Sequence, residues 1–171
     1  MPKRNLRKDN EMAKRLYVAY GSNLNMDQMM CRCPHAHPIG TSRIADYELL
    51  FKGSKTGSYF TIEQKKGESV PVGVWEVDEQ DELNLDMYEG YPTFYYKTEM
   101  VLPIKSFKTG KIRHRTVFVY IIHEERPFGI PSQWYVDTCV KGYYDFGLYN
   151  LNPIRHALER SREEIAYAFM A

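Results

Sequence analysis

The chain has 171 residues, close to the size of one domain, so a single unit with a substantial core is expected. Lysine and arginine number 23 against 22 aspartate and glutamate, a balance that excludes the general electrostatic pull of a nucleic-acid or anionic-membrane binder. With 14 Tyr and 8 Phe, the composition favours a core or pocket lined by rings, so the expected partner is a small molecule.

Residues 1–15, MPKRNLRKDNEMAKR, carry many charges and no apolar stripe; they read as a disordered lead-in, with Met12 as an alternative start. The fold, one domain, is expected over residues 16–171. Strand-like runs occur at 16–20, 47–51, 58–63, 71–77, 95–104 and 115–122, rich in β-branched and aromatic residues with Gly-rich or charged breaks between them. Helices are expected just after Asn25 and over about 79–88, 133–146 and 153–168. Strands and helices do not alternate regularly. The fold class is therefore α+β: a small mixed β-barrel or curled sheet of about six strands with flanking helices.

In chain order, the first chemical feature is the break in LYVAYGSNLNMDQMM, residues 16–30. A strand ends at Tyr20, turns through Gly21, Ser22, Asn23 and Leu24, and enters a helix that Asn25 and Gln28 can cap reciprocally. Backbone N–H groups there can converge on a carboxylate or a developing oxyanion, with Gly21 offering close approach. An ordinary strand-to-helix connection has the same composition. Next comes CRCPHAH at 31–37, whose spacing fits none of the usual zinc knuckles, so no metal is expected. Cys31, Cys33 and Cys139 form an odd set without disulfide spacing, and no signal-peptide or membrane-length apolar run is present; a reducing cytoplasm is expected.

In DEQDELNLDMYEGYP, residues 78–92, Asp78 is placed to cap a helix that stops at Glu89, with Gly90 and Pro92 at its exit. Glu79, Asp81, Glu82 and Asp86 are expected on a wet face and Leu83, Met87 and Tyr88 inward. Glu89 differs. Helix carbonyls make its surroundings negative and Tyr91, Phe94, Tyr95 and Tyr96 can exclude water; both raise a carboxyl pKa towards that of a proton shuttle. A solvated Glu at a frayed helix end is the competing reading. Further on, Tyr135, Thr138, Cys139, Gly142, Tyr143 and Phe146 share one helix face. The last helix is expected to be capped by Asn152, started by Pro153 and striped by Ile154, Ala157, Leu158, Ile165 and Ala168.

YVAYGSNL, followed downstream by LDMYEGYP and YYK, resembles the γ-glutamylcyclotransferase-like family, which includes the AIG2-like branch. RCP at 32–34, YELLF at 47–51, VGVWEV at 72–77 and PSQWYVDTCVKGYYDFGL at 131–148 extend the likeness over residues 16–150. The resemblance implies a small β-barrel with a cavity shared by the first loop and the acidic helix end. It also implies a cofactor-free enzyme that cyclises a γ-glutamyl amide to 5-oxoproline and releases the free amine or amino acid. The loop backbone that cradles substrate then falls on Tyr20, Gly21, Ser22, Asn23 and Leu24, and the general acid/base on Glu89, with Tyr20, Tyr91 or Tyr96 orienting polar groups. A non-catalytic relative that binds a small molecule in the same pocket is the alternative. The leaving amine is expected to meet loops 52–58 and 123–131, and the oligomeric state is left open.

Overall fold

A computed structural model describes residues 13–171. Most of the expected lead-in, residues 1–12, lies outside the described residues, and Arg15 already opens the first strand by pairing with Val77. Five strands, β1 (Arg15–Ala19), β2 (His37–Ser54), β3 (Gly57–Val77), β4 (Tyr95–Ser106) and β5 (Ile112–Ile122), close into a barrel in the order β1-β3-β2-β4-β5. All neighbours are antiparallel except β1 and β5, which run parallel where Tyr17 meets Phe118 and so make the barrel mixed.

The count of about six strands is corrected to five because the runs at 58–63 and 71–77 belong to one strand. Its middle, Gln64–Glu68, is exposed and charged and imitates a turn; Gln64 pairs with Tyr47 and Ser69 with Ala45, and the four residues between them bulge out of the ladder without ending the strand. The irregularity sits opposite, between Ala45 and Tyr47, where Asp46 adopts a positive φ and accepts from the Gly67 amide at 2.9 Å. The first half of β2 is also strand, although Pro38, Gly40 and Ser42 give little β-propensity. Alternation decides there: Gly40, Ser42 and Ile44 point into the barrel.

Four helices flank the barrel: α1 (Met26–Arg32), α2 (Glu79–Glu89), α3 (Gln133–Asp145) and α4 (Asn152–Met170). In α3 the whole expected face is buried, and Ser132 caps it by accepting from the Tyr135 amide at 3.1 Å. Helix α4 departs from expectation at both ends. Its N-cap is Leu151, with Asn152 one position inside and bonded instead to Arg155, and the apolar stripe stops at Ser161, leaving Ala168 exposed. Helix α2 also reverses the expected burial: Asp81 is fully buried, whereas Leu83, Met87 and Tyr88 are exposed and Leu85 alone is the apolar anchor.

The core runs through the barrel interior, where Val70, Val72, Val74, Phe51, Phe60 and Phe118 are excluded from water, and continues under α3 through Leu24, Trp75 and Phe146. That continuation fixes the first loop. Gly142 makes it feasible: a Cβ there would lie 2.5 Å from the Asn25 nitrogen and 2.6 Å from the Leu24 carbonyl carbon, so only glycine lets α3 press on the loop backbone. Among the described residues no helix is long and apolar enough to cross a membrane.

Candidate active site

After β1, residues Ser22–Leu24 form a 3-10 turn in which the Leu24 amide donates to the Gly21 carbonyl at 3.1 Å and the Asn25 amide to Ser22 at 3.0 Å. The indole of Trp75 on β3 donates to the Asn23 carbonyl at 2.9 Å, and the Asn25 side chain donates to the Thr138 carbonyl of α3 at 3.2 Å. Asn25 also caps α1 by accepting from the Gln28 amide. The expected reciprocal half of that cap is not formed, because the Gln28 side chain is taken by Arg32 at 2.6 Å. With the carbonyls held from behind, the amides of Gly21, Ser22 and Asn23 have no acceptor among the described residues; that of Leu24 is spent inside the turn. Leu24 serves as a buried anchor beneath the loop.

Helix α2 brings the acid to this loop. A capping box of Asp78 and Asp81 starts the helix, and Gly90, with φ of 62°, ends it while Tyr91 donates to the Asp86 carbonyl at 2.9 Å. Glu89 is thus the last helical residue, and its Oε1 accepts from the Asn23 side-chain amide at 3.1 Å. The same Asn23 nitrogen donates to the Tyr17 hydroxyl at 3.0 Å. Although Glu89 as a residue is half-buried, its carboxyl is deeply enclosed: burial pushes it from the ordinary 4.5 up to about 8, partly opposed by the Arg32 charge. Its Oε2 receives no hydrogen bond from the described residues.

Phenols complete the enclosure. Tyr20 donates to the Tyr120 carbonyl at 2.5 Å, Tyr95 to the Phe60 carbonyl at 3.0 Å, and Tyr120 to Asp86 at 2.6 Å, while Tyr135 accepts from the Phe60 amide at 3.0 Å. Burial raises the pKa of each, so all stay neutral and hold the walls by hydrogen bonds instead of charge. The result is a cavity of about 360 Å³, within the range of small-molecule sites.

Of the residues singled out from the sequence, Tyr20, Gly21, Ser22, Asn23 and Glu89 meet in this cavity. Gly21 has a different neighbour from the one expected, because a Cβ there would sit 3.1 Å from the Tyr135 hydroxyl and 3.4 Å from Phe60 Cβ. Tyr96 and Tyr91 do not line it. Tyr96 points to the other face of β4, donates to Glu124 and borders a separate hollow, whereas its neighbour Tyr95 faces the cavity. Phe94 and Tyr95, expected as rings that keep water from Glu89, do line the cavity, and so do Tyr17, Tyr59, Tyr120 and Tyr135, which no motif marks as site residues; the period-2 alternation of β1 and β5 is the sequence signal that points to Tyr17 and Tyr120. Of the two loops expected near the leaving group, 52–58 contributes Ser54 and Thr56, and 123–131 contributes nothing to the lining.

Among the described residues, the nearest approach to a metal-ligand set lies elsewhere. His35, Asp78 and Asp81 place one ligand atom each within 4.8 Å of one another. Their oxygens are already engaged: Asp78 accepts from the Asp81 amide at 2.8 Å and pairs with the His35 ring at 2.8 Å, and Asp81 accepts from the His35 and Asp78 amides, both at 3.3 Å. This is the geometry of a helix cap, and Cys31 and Cys33 do not join it.

The family model described as gamma-glutamyl cyclotransferase, AIG2-like, matches residues 17–137. Bovine gamma-glutamylcyclotransferase is 34% identical over 143 residues, covering 78% of this chain and 72% of that protein. The human gamma-glutamylcyclotransferase is 30% identical over 141 residues with the same coverage. A solved structure described as a gamma-glutamyl cyclotransferase shares the fold with a TM-score of 0.70 over 84% of this chain and 86% of that one, at 24% identity. The matched span contains the first loop, the barrel, α2 and the start of α3, and on that ground the chain belongs to the gamma-glutamyl cyclotransferase, AIG2-like family.

Proposed function

We propose that this protein converts a γ-glutamyl amide into 5-oxoproline and the free amine or amino acid, with Glu89 as general acid and base. The observation that carries the reading is the juxtaposition of an enclosed carboxyl, one oxygen held by Asn23 and the other open, with three unpartnered loop amides across one cavity. Family membership supports the same reaction class.

In this reaction the substrate's α-nitrogen attacks its own γ-carbonyl carbon, a C–N bond forms, and the bond to the leaving nitrogen breaks. The two protons given up by the α-ammonium are the two with which the departing amine leaves as an ammonium ion, so no co-reactant and no cofactor is required. A carboxyl that takes a proton and returns it completes the balance. An α-ammonium has a pKa near 8. Glu89, raised to about 8, is matched to it, so proton exchange between the two is nearly thermoneutral. An ordinary carboxylate would be a far weaker base.

The amides of Gly21, Ser22 and Asn23 receive the α-carboxylate or the oxyanion, and the cavity holds the folded conformer with attacking and attacked atoms within about 3.5 Å. The free thiols of Cys31, Cys33 and Cys139 suit a reducing cytoplasm. The test is incubation with a panel of γ-glutamyl amino acids and γ-glutamylamines, with 5-oxoproline read by mass spectrometry. Release by the wild type and its loss in Glu89→Gln is the expected result. Thermal stabilisation by panel members without turnover would replace the enzyme by a binding protein.

A further inference from the structure

Arg32 ends α1 just behind the cavity, and its guanidinium gathers the polar groups of the loop. One nitrogen donates to Asn23 Oδ1 at 2.5 Å and to Ser22 Oγ at 3.3 Å, and the other to Gln28 Oε1 at 2.6 Å. The guanidinium carbon lies 3.5 Å from the centre of the Tyr88 ring, and the Arg32 carbonyl accepts from Asn84 of α2 at 3.0 Å. The residue therefore bridges the loop to the helix that carries Glu89.

We infer that Arg32 is the positioning residue of this site: it fixes which way the Asn23 amide faces and so directs an N–H, and a positive charge, at Glu89. A guanidinium only donates hydrogen bonds, so the atom of Asn23 it holds must be the oxygen. The Asn23 nitrogen is then turned to Glu89 Oε1 and the Tyr17 hydroxyl. With Arg32 removed, the amide is free to turn over, and its oxygen would then face the carboxylate and repel it. The charge works in the same direction. Facing Glu89 are the phenols of Tyr17 from β1, Tyr20 just past its end, Tyr95 from β4, Tyr120 from β5 and Tyr135 from α3, with the thiol of Cys33, the C-cap of α1, and Tyr88 of its own helix behind. Burial keeps every one of these neutral near pH 7, which leaves Arg32 as the charge that opposes the desolvation of Glu89.

The inference rests on the reading of Glu89 as proton shuttle, so its test includes a measurement that needs no turnover. Carbon-13 carboxyl NMR of glutamate-labelled protein, with Glu89→Gln to assign the resonance, gives the Glu89 midpoint in wild type, Arg32→Met and Arg32→Lys. The expected result is a midpoint displaced to higher pH in Arg32→Met, with kcat for 5-oxoproline release at pH 7 down on the order of tenfold, a fraction of what a general acid/base supplies, and KM changed less. Arg32→Lys keeps the charge but not the fork; its midpoint should return towards the wild-type value while kcat stays low. An unmoved midpoint in folded Arg32→Met overturns the inference. If that variant does not fold, wild-type kcat in Arg32→Lys overturns it as well. A wild type that titrates as described but releases no 5-oxoproline sinks the proposed reaction and leaves the role of Arg32 standing.

Discussion

Both ends of α2 bury a carboxyl, and they use it in opposite ways. At the N-terminus Asp81 is fully buried and raised by burial, yet each of its oxygens accepts a backbone amide, from His35 and from Asp78. Asp78 beside it is held low by the Asp81 amide and the His35 ring. At the C-terminus Glu89 is raised to about 8, helped only by Asn23 on one oxygen and by the charge of Arg32, and its second oxygen faces a cavity. The helix field adds to the contrast, since it favours negative charge where Asp78 and Asp81 sit and opposes it at Glu89. A buried acid whose two oxygens each accept a backbone amide is scaffold, and one with an oxygen left open to a hollow is free to exchange a proton.

The sharpest way to break this contrast is Glu89→Gln. We expect 5-oxoproline release to fall about 10²–10⁴-fold, the range for loss of a general acid/base. The wild-type rate should climb from pH 6 towards a maximum near 8, because below that Glu89 and the substrate ammonium both hold protons and one too many is present. Stability should move the other way. Between the ordinary 4.5 and about 8 the folded chain holds a proton that the unfolded chain has released, so the Glu89 contribution is full at low pH and is lost as pH rises through that window. Glu89→Gln should therefore be the more stable protein at pH 8, by about 1–3 kcal/mol once solvent in the cavity is allowed for, with no gain below pH 4. Denaturant melts of both proteins at the two pH values check the sign.

The seat of the loop comes next. Gly142→Ala forces a methyl into the backbone of Leu24 and Asn25, costing about 2–3 kcal/mol as overpacking and displacing the unpartnered amides from Glu89. A lower melting temperature and a raised KM are both expected; an unchanged KM would separate the loop from substrate binding. Asp81→Ala is the scaffold counterpart. It strips acceptors from the His35 and Asp78 amides and should cost about 1–2 kcal/mol, with kcat of the folded fraction unaltered. A large loss of kcat there would erase the distinction between the two ends.

Much of this arrangement is readable locally. Asp78, Asn25 and Ser132 cap helices with their own side chains, and Gly90 terminates one, so α1, α2 and α3 and the position of Glu89 follow from short-range chemistry. What escapes such reading is set by distant partners. Gln28 is drawn away by Arg32, and the weak segment His37–Ile44 becomes strand because β3 lies beside it. On α2 the inference from apolar residue to buried residue fails for a functional reason: Met87, 84% exposed, and Tyr88 line the cavity instead of the core, while Asp81 is buried through its cap. Trp75 reaching the Asn23 carbonyl and Arg32 reaching its side chain have no local signature at all.

The smallest expected effect separates two adjacent tyrosines. Tyr95 and Tyr96 stand side by side in the chain, and pleating sends one hydroxyl into the Glu89 cavity and the other to Glu124 on the far face. Tyr95→Phe removes the hydrogen bond to the Phe60 carbonyl inside the site wall, at a net cost of about 1 kcal/mol in stability, and should lower turnover several-fold by loosening that wall. Tyr96→Phe removes only a hydrogen bond to an exposed carboxylate and should leave kcat/KM within about twofold, since a contact open to water contributes little. Equal losses in both variants would mean that substrate contact extends across β4 to the second hollow, and that the cavity around Glu89 is only part of the site.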